Sequence, residues 1–309
     1  MAGDVLRSAF EQHRRHLWGI CYRMLGTTAD ADDVLQQTFL RALERPPPRL
    51  EDPLRPWLVK VAINLARDRL RQRKRRRYEG PWLPAPVEGD LEDTAEPADA
   101  QPLADARYDL RESATLGFLV AVEALSPRQR AVLILQDVLD YTVKETATAL
   151  EMTESNVKVT LHRARKAMQG YDRQRVLPTP GHRERVGAAL ERFLMCLAAG
   201  DVAQAQAMLA HDVRAYSDGG GEVFAARKVV VGAGPVVRFL ATLARKYGTD
   251  VRAELRTLNG LPAVVMALNP VVPRFPLRSV LQLDVDDEGR ITRIYNVVAP
   301  SKLRRIRPV

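Results

Sequence analysis

The sequence predicts a multidomain chain in which two all-α units precede an α+β domain. Three observations carry that prediction. Apolar residues recur at helical spacing through most of the first 170 positions, and a Pro-rich acidic tract interrupts them near the middle. Beyond about residue 210 the pattern changes to the two-residue alternation of strands. At 309 residues and 46% hydrophobic content, the chain can build two or three separate cores.

Helices are expected at 4–25 and 30–44. The second opens on Asp30, Asp32 and Asp33, whose charges suit the positive end of a helix. Pro46, Pro47 and Pro48 must end it, leaving a loop to about Pro56. Residues 55–77 then hold ten basic residues and a single acid, Asp68. From Trp57 onward Leu58, Val61, Ala62 and Leu65 follow helical spacing, with Lys60, Asn64, Arg67, Arg71 and Lys74 on the opposite side. One face packs on protein and the other offers cations to a polyanion. Lys and Arg neutralise phosphates, whereas Asn can also hydrogen-bond a base edge. A solvated basic helix would show the same face, so this segment needs a second signal beside it.

Residues 79–106 hold eight acidic residues, several prolines and no Lys or Arg, the composition of an extended linker. A basic helix followed by an acidic tract suggests a nucleic-acid surface with something to shield it. Another helical unit covers about 107–170. Ser126-Pro127 starts a helix, with Pro at its first position. Thr142 and Glu145 have capping-box spacing for a helix to about Leu150. The short turn Glu151–Thr153 leads into a helix from about Glu154 to Gln169, giving a helix-turn-helix. Val157, Leu161, Ala164 and Met168 form its inward stripe, while Ser155, Asn156, Lys158, His162, Arg163 and Lys166 point outward. Two basic helical units joined by a linker suit the reading of two DNA elements separated by a spacer.

Pro178-Thr-Pro-Gly181 reads as a hinge before a domain of different character. Helices are expected at about 183–199 and 201–210, and strands at 212–217, 262–268, 278–285 and 290–298. Val280, Gln282 and Asp284 alternate with Leu281, Leu283 and Val285, as on a half-buried antiparallel strand. Asp287-Glu-Gly289 supplies a hairpin turn. The expected result is helices over one face of a curved antiparallel sheet.

Net charge is +9. Cys21 and Cys196 lie far apart in helical apolar patterns and read as buried thiols rather than a disulfide. No CxxC or comparable His/Cys spacing offers a metal site. There is no charged start followed by an apolar core, and no 18-residue apolar run. A soluble cytoplasmic protein with no membrane partner is expected.

These residues resemble a known family. Across 4–170 the chain is similar to bacterial extracytoplasmic-function sigma factors. Asp30-Ala-Asp-Asp-Val-Leu-Gln-Gln-Thr-Phe-Leu-Arg-Ala42 resembles the region 2 helix that docks on the clamp coiled coil of RNA polymerase. The run from Trp57 to Arg71 resembles the promoter-melting and −10-reading segment, and Leu125 through Arg165 resembles region 4, which reads the −35 element. The resemblance implies two all-α sigma domains, a region 2 bundle over 1–78 and a region 4 helix-turn-helix over 107–177. It implies core polymerase, through its clamp coiled coil and flap, and promoter DNA as partners. Asp33, Gln36 and Gln37 would face the polymerase, with Gln37 where Glu is usual. Asn64 would read the −10 element, and Lys158, Thr160, His162 and Arg163 would face the −35 groove. On the helical wheel Thr160 lies nearer the packed face. No cofactor, metal or catalytic residue is implied, because phosphoryl chemistry belongs to the polymerase.

Residues 182–309 resemble the SnoaL/NTF2-like cone that one group of these sigma factors carries. That group's Trp-Leu-Pro-x-Pro linker motif stands here as Trp82-Leu-Pro-Ala-Pro86. Its Asp-Gly-Gly-Gly-Lys motif appears as Asp218-Gly-Gly-Gly-Glu222, with the last charge reversed. Its terminal Asn-Pro-Asp-Lys-Leu motif is partly kept as Ala299-Pro-Ser-Lys-Leu303. Trp82, Leu83 and Pro84 are apolar groups in an otherwise acidic linker and would bury against a folded surface. Gly219, Gly220 and Gly221 permit close backbone approach or positive φ. With Asp218 and Lys302 they are the candidate regulatory residues, which would clamp the linker and set the spacing of the two DNA-reading units. Two other roles stand beside this for the tail. One is an enzyme using His211, Asp212, Tyr216 or Asp218 as a base. The other is a small-molecule sensor, which the apolar run Val264–Leu268 would suit.

Overall fold

A computed structural model describes residues 2–75, 78–89, 106–175, 177–247, 251–269 and 274–309. The described residues divide into two compact units. The first takes in 2–75, 106–114 and 118–173, and the second 78–89, 115–117 and those from Gln174 onward.

In the first unit, helix α1 (Ala2–Leu25) is followed almost directly by α2 (Thr28–Glu44). Gly26 makes the break, with φ of 69° and its N–H on Tyr22 O, and Thr27 accepts the Asp30 N–H as an N-cap. Helix α3 (Leu54–Arg75) packs on α1 and α2. It also packs on α5 (Pro127–Leu133) and α6 (Val143–Leu150), after the short α4 (Leu116–Ala121). Leu58, Ala62 and Leu65 are buried as the sequence requires. Val59, Ile63, Ala66 and Leu70 are buried too, forming a second apolar stripe. That stripe widens the packed side of α3 beyond the one face expected, so the polar side that remains, with Asp68 and Arg71 exposed and Lys60 and Asn64 half-buried, is narrower than the sequence suggests.

The helix-turn-helix forms as its caps dictate. Ser126 and Gln129 close one capping box at the start of α5, and Thr142 and Glu145 close another at the start of α6. Glu151 takes the left-handed conformation, φ 53°, that ends α6. Thr153 then caps α7 (Glu154–Asp172), which runs three residues past its expected end.

In the second unit, α8 (Pro180–Ala199) starts inside the expected hinge. Thr179 accepts the His182 N–H and Pro180 occupies the first helical position, so the Pro-Thr-Pro-Gly stretch is a helix start. Helix α9 (Val202–Ala207) is shorter than predicted, because Leu209 and Ala210 already belong to β1 (Leu209–Asp218). After β2 (Val230–Val231) and α10 (Ala233–Tyr247) come β3 (Arg252–Leu258), β4 (Leu261–Ala267), β5 (Arg278–Val285) and β6 (Ile291–Val297). The sheet order is β2-β1-β6-β5-β4-β3. The expected all-antiparallel sheet is corrected at one place, where β1 and β6 run parallel. The β5–β6 turn falls where predicted, with Gly289 at φ 77°. Helices α8 and α10 cover one face, enclosing Phe193, Leu190, Val213, Val237, Leu281, Leu283 and Ile294. This is the α+β, NTF2-like arrangement expected of the tail. Among the described residues no helix is long and apolar enough to cross a membrane.

Candidate nucleic-acid interface and linker site

On α2, Asp33, Gln36 and Gln37 are all exposed. Leu40 and Leu43 continue the same strip, 50% and 43% exposed, although large apolar side chains usually find cover. Arg69 of α3 braces one end of it, donating to Asp33 at 2.7 Å and to Asp30 at 2.8 Å.

The predicted cations of α3 are not equally available. Arg71 is exposed and paired with Asp68 at 2.8 Å. Lys60 is half-buried and bonded to Glu151, in the turn of the helix-turn-helix, at 2.9 Å. Arg67 is buried and donates to the Asn64 side-chain oxygen at 3.0 Å. Burial, with the nearby charges of Arg71 and Arg128, holds the Arg67 guanidinium below its ordinary value. Arg67 is thus a correction to the open cationic face, since the second apolar stripe draws α5 and α6 over that side of the helix. The Lys74 side chain lies outside the described residues.

On α7 the expected split is present except at Leu161, which is only half-buried. Val157, Ala164 and Met168 are buried, while Ser155, Asn156, Lys158, His162, Arg163 and Lys166 are exposed. Thr160 is half-buried, as its wheel position implied. Val159, unremarked in the sequence, is 47% exposed among these polar groups. An apolar side chain there suits contact with a thymine methyl group.

A polar latch joins the first three helices to the later ones. Arg130, only 2% exposed, donates to Met24 O at 2.8 Å and to Glu123 at 2.7 Å. Arg73 donates to Leu25 O and also to Glu123, each at 2.7 Å. Two guanidinium groups therefore satisfy carbonyls at the C-terminus of α1 and share one carboxylate. Burial pushes Glu123 upward, but the charges of Arg130 and Arg73 outweigh it and hold the carboxyl below its ordinary value.

In the second unit the linker segment is seated on the tail. The fully buried Asp218 carboxylate accepts from Tyr78 OH at 2.5 Å, Leu83 N at 2.6 Å, Lys302 Nζ at 2.6 Å and Gly220 N at 2.9 Å. Lys302 also donates to Leu83 O, and its ammonium lies 4.6 Å from the Trp82 ring centroid and 5.0 Å from that of Tyr78. Leu83 is fully buried and Pro84 is buried beside it, while Trp82 is half-buried. Burying a leucine contributes about 1.5–3 kcal/mol. Gly220 and Gly221 take φ of 62° and 75°, and a Cβ on Gly219 would meet Val223 O at 2.5 Å. Farther on, Glu88 accepts from Arg307 N at 2.7 Å and Arg256 at 3.1 Å, and Val87 N donates to Asn259 at 3.0 Å.

Tyr78 and Glu88 were missed because an aromatic after a basic run and an acid in an acidic tract carry no local signal. Two departures from the family motifs are in contact with each other: Glu222 accepts from Ser301 Oγ at 2.5 Å and Ser301 N at 3.3 Å.

Residues 9–76 match the family model of Sigma-70 region 2, and residues 116–168 that of Sigma-70, region 4. Over 305 residues the chain is 32% identical to the ECF RNA polymerase sigma factor SigJ of Mycobacterium tuberculosis, covering 96% of this chain and 92% of that one. The chain belongs to the ECF RNA polymerase sigma factors. This ECF sigma factor is also 31% identical to SigG of the same species, over 94% of its length and 79% of the relative's. It superposes on the crystal structure of SigJ with a TM-score of 0.72 at 30% identity, covering 96% and 97% of the two chains. A shorter relative, CarQ of Myxococcus xanthus, is 30% identical over 57% of this chain and 90% of its own.

Proposed function

We propose that this sigma factor docks on the clamp coiled coil of core polymerase through the exposed α2 strip of Asp33, Gln36, Gln37, Leu40 and Leu43, with region 4 meeting the flap. Helix α3 reads the −10 element through Asn64, positioned by Arg67 behind it, with Lys60, Arg71 and Lys74 on phosphates. Helix α7 reads the −35 element through Ser155, Asn156, Lys158, Thr160, His162, Arg163 and Lys166. The domain limits 1–78, 79–106, 107–177 and 182–309 follow from the same assignment, and the protein works in the cytoplasm, where the polymerase is. The tail modulates activity in cis by holding the linker on Asp218 and Lys302.

The observation that carries the cis regulation is the buried Asp218 carboxylate, whose bonds go to two linker groups and to Lys302. A non-enzymatic tail fits the same site. Asp218 is committed to these bonds, His211 and Asp212 are exposed, and Tyr216 is stacked on Tyr295 at 5.7 Å. In vitro transcription with core polymerase and a promoter library, full chain against residues 1–178, tests both levels. Transcripts from either chain support the DNA-reading and docking assignments, and their ratio gives the sign of tail control. Equal activity of the two would remove cis regulation.

A further inference from the structure

We propose that the tail binds a small aromatic carboxylic acid in a cavity of about 190 Å³ between α10 and the ends of β1 and β6. Phe239 and Leu243 of α10, Phe224 and Phe275 from two loops, and Val298 make its walls. Ser217 and Asn296, paired across the β1–β6 register, add a hydroxyl and an amide. The Asn296 side-chain oxygen accepts from Ser279, which leaves the amide N–H groups as donors. An apolar cavity near 150 Å³ suffices for benzene, so this one suits a single ring or a small fused pair.

The charge of the ligand follows from two cations that stand against rings of the lining. The Arg274 guanidinium lies 5.5 Å from the Phe224 centroid, and Lys246 Nζ lies 5.6 Å from that of Phe275. The two rings are 5.7 Å apart, so two cations stand on aromatic walls of the cavity without lining it themselves, and among the described residues no carboxylate lines it. A neutral hydrocarbon would satisfy the walls and ignore the cations. An aromatic acid satisfies both, with its ring among the phenylalanines and its carboxylate toward Lys246 and Arg274.

The site is wired to the linker by strand alternation. Ser217 faces the cavity and the next residue, Asp218, faces the opposite side of the sheet and holds the linker. The glycine loop after Asp218 runs directly into Phe224, Ala225 and Ala226, which form one wall. A Cβ on linker Gly80 would lie 3.4 Å from Ala226 O, so that wall also abuts the linker. An occupant that shifts Phe224–Ala226 therefore acts on residues 78–83. This consequence rests on the clamp proposed above; the binding itself does not.

The test titrates the full chain with 2-naphthoate and, separately, with neutral 2-naphthol, followed by saturation-transfer NMR. Saturable naphthoate binding in the range below about 1 mM is expected. Lys246→Glu, an exposed change, should weaken naphthoate about tenfold and leave naphthol unchanged. Phe239→Trp should fill the cavity and abolish binding of both. Failure of naphthoate to saturate, or tighter binding of naphthol than naphthoate, overturns the assignment of an acid. Undiminished binding to a folded Phe239→Trp protein overturns the location. Hydrogen exchange at Leu83 should change on saturation, and no change there would overturn the coupling while leaving the site. None of these readouts uses transcription, so failure here leaves the sigma and clamp proposals standing.

Discussion

Asp218 has no contact with solvent, and its charge is balanced by Lys302, whose side chain is 9% exposed. Removing one partner of such a pair strands the other charge in a desolvated site, at a cost of about 3–5 kcal/mol. Lys302→Met should therefore release the linker, seen as faster hydrogen exchange at Leu83, with a loss of tail stability of about that size in urea unfolding. Protection at Leu83 equal to the unsubstituted protein would show that the linker is held by apolar burial alone. A second residue-scale prediction concerns Glu222 and Ser301, the two contacting positions at which this chain departs from the family motifs. Glu222→Lys alone should lose the Ser301 bonds. Combined with Ser301→Asp it should gain an ion pair instead, with a coupling energy of about 0.5–1 kcal/mol in a double-mutant cycle. Strict additivity would mean that the two departures are unrelated.

At the scale of elements, the latch ties the end of α1 to α5 through Glu123. Its folded pKa is depressed from an ordinary 4.5, so its contribution is complete above that value and is lost as pH falls below 4.5 through the folded pKa. Glu123→Gln should weaken the first unit by about 2–4 kcal/mol, allowing for its partial exposure, and should flatten the acid limb of its stability curve. An acid limb unchanged by Glu123→Gln would assign the pH response to other carboxylates. For α7, Lys158→Ala and Arg163→Ala should each lower the slope of log affinity against log salt by about one unit. Sequence patterning gave good access to these elements. Capping boxes at Ser126 and Thr142, the stripe of α7 and the β5–β6 turn are local features, and local features leave local patterns. Pairings over long separations do not: the parallel β1–β6 contact, the Tyr78–Asp218 bond and the Glu123 latch have no spacing rule. Strand β3 escaped because it is an edge strand exposed on both faces, so Arg252, Glu254 and Arg256 alternate with Ala253, Leu255 and Thr257 without a buried apolar side to mark it. The second stripe of α3 is written in the sequence as Val59, Ile63, Ala66 and Leu70, but the cations interleaved with it obscure its periodicity.

For the whole molecule, size decides what the first unit must do on DNA. Elements centred near −10 and −35 lie about 25 base pairs apart, roughly 85 Å along the duplex. A compact unit of about 160 residues spans only about 40 Å. If α3 reads −10 and α7 reads −35, as proposed, the arrangement in which α5 and α6 lie on α3 does not serve both elements at once, and promoter binding is expected to separate them. The cleft between them gives a way to prevent that separation, since Asp52 and Thr148 line it from its two sides and are exposed. Cysteines placed at these positions face one cleft, and a bis-maleimide chosen to match their separation would join them. The native thiols should not compete, because Cys21 and Cys196 are both buried and burial, helped by Asp32, pushes the Cys21 thiol up to about 12. The cross-linked protein is expected to lose at least about tenfold in promoter-specific transcription against the same double variant left unlinked, while α2 stays free to bind core polymerase. Full activity with the link in place would mean that α3 and α7 reach their DNA without parting, and that the covered face of α3 is no barrier to function.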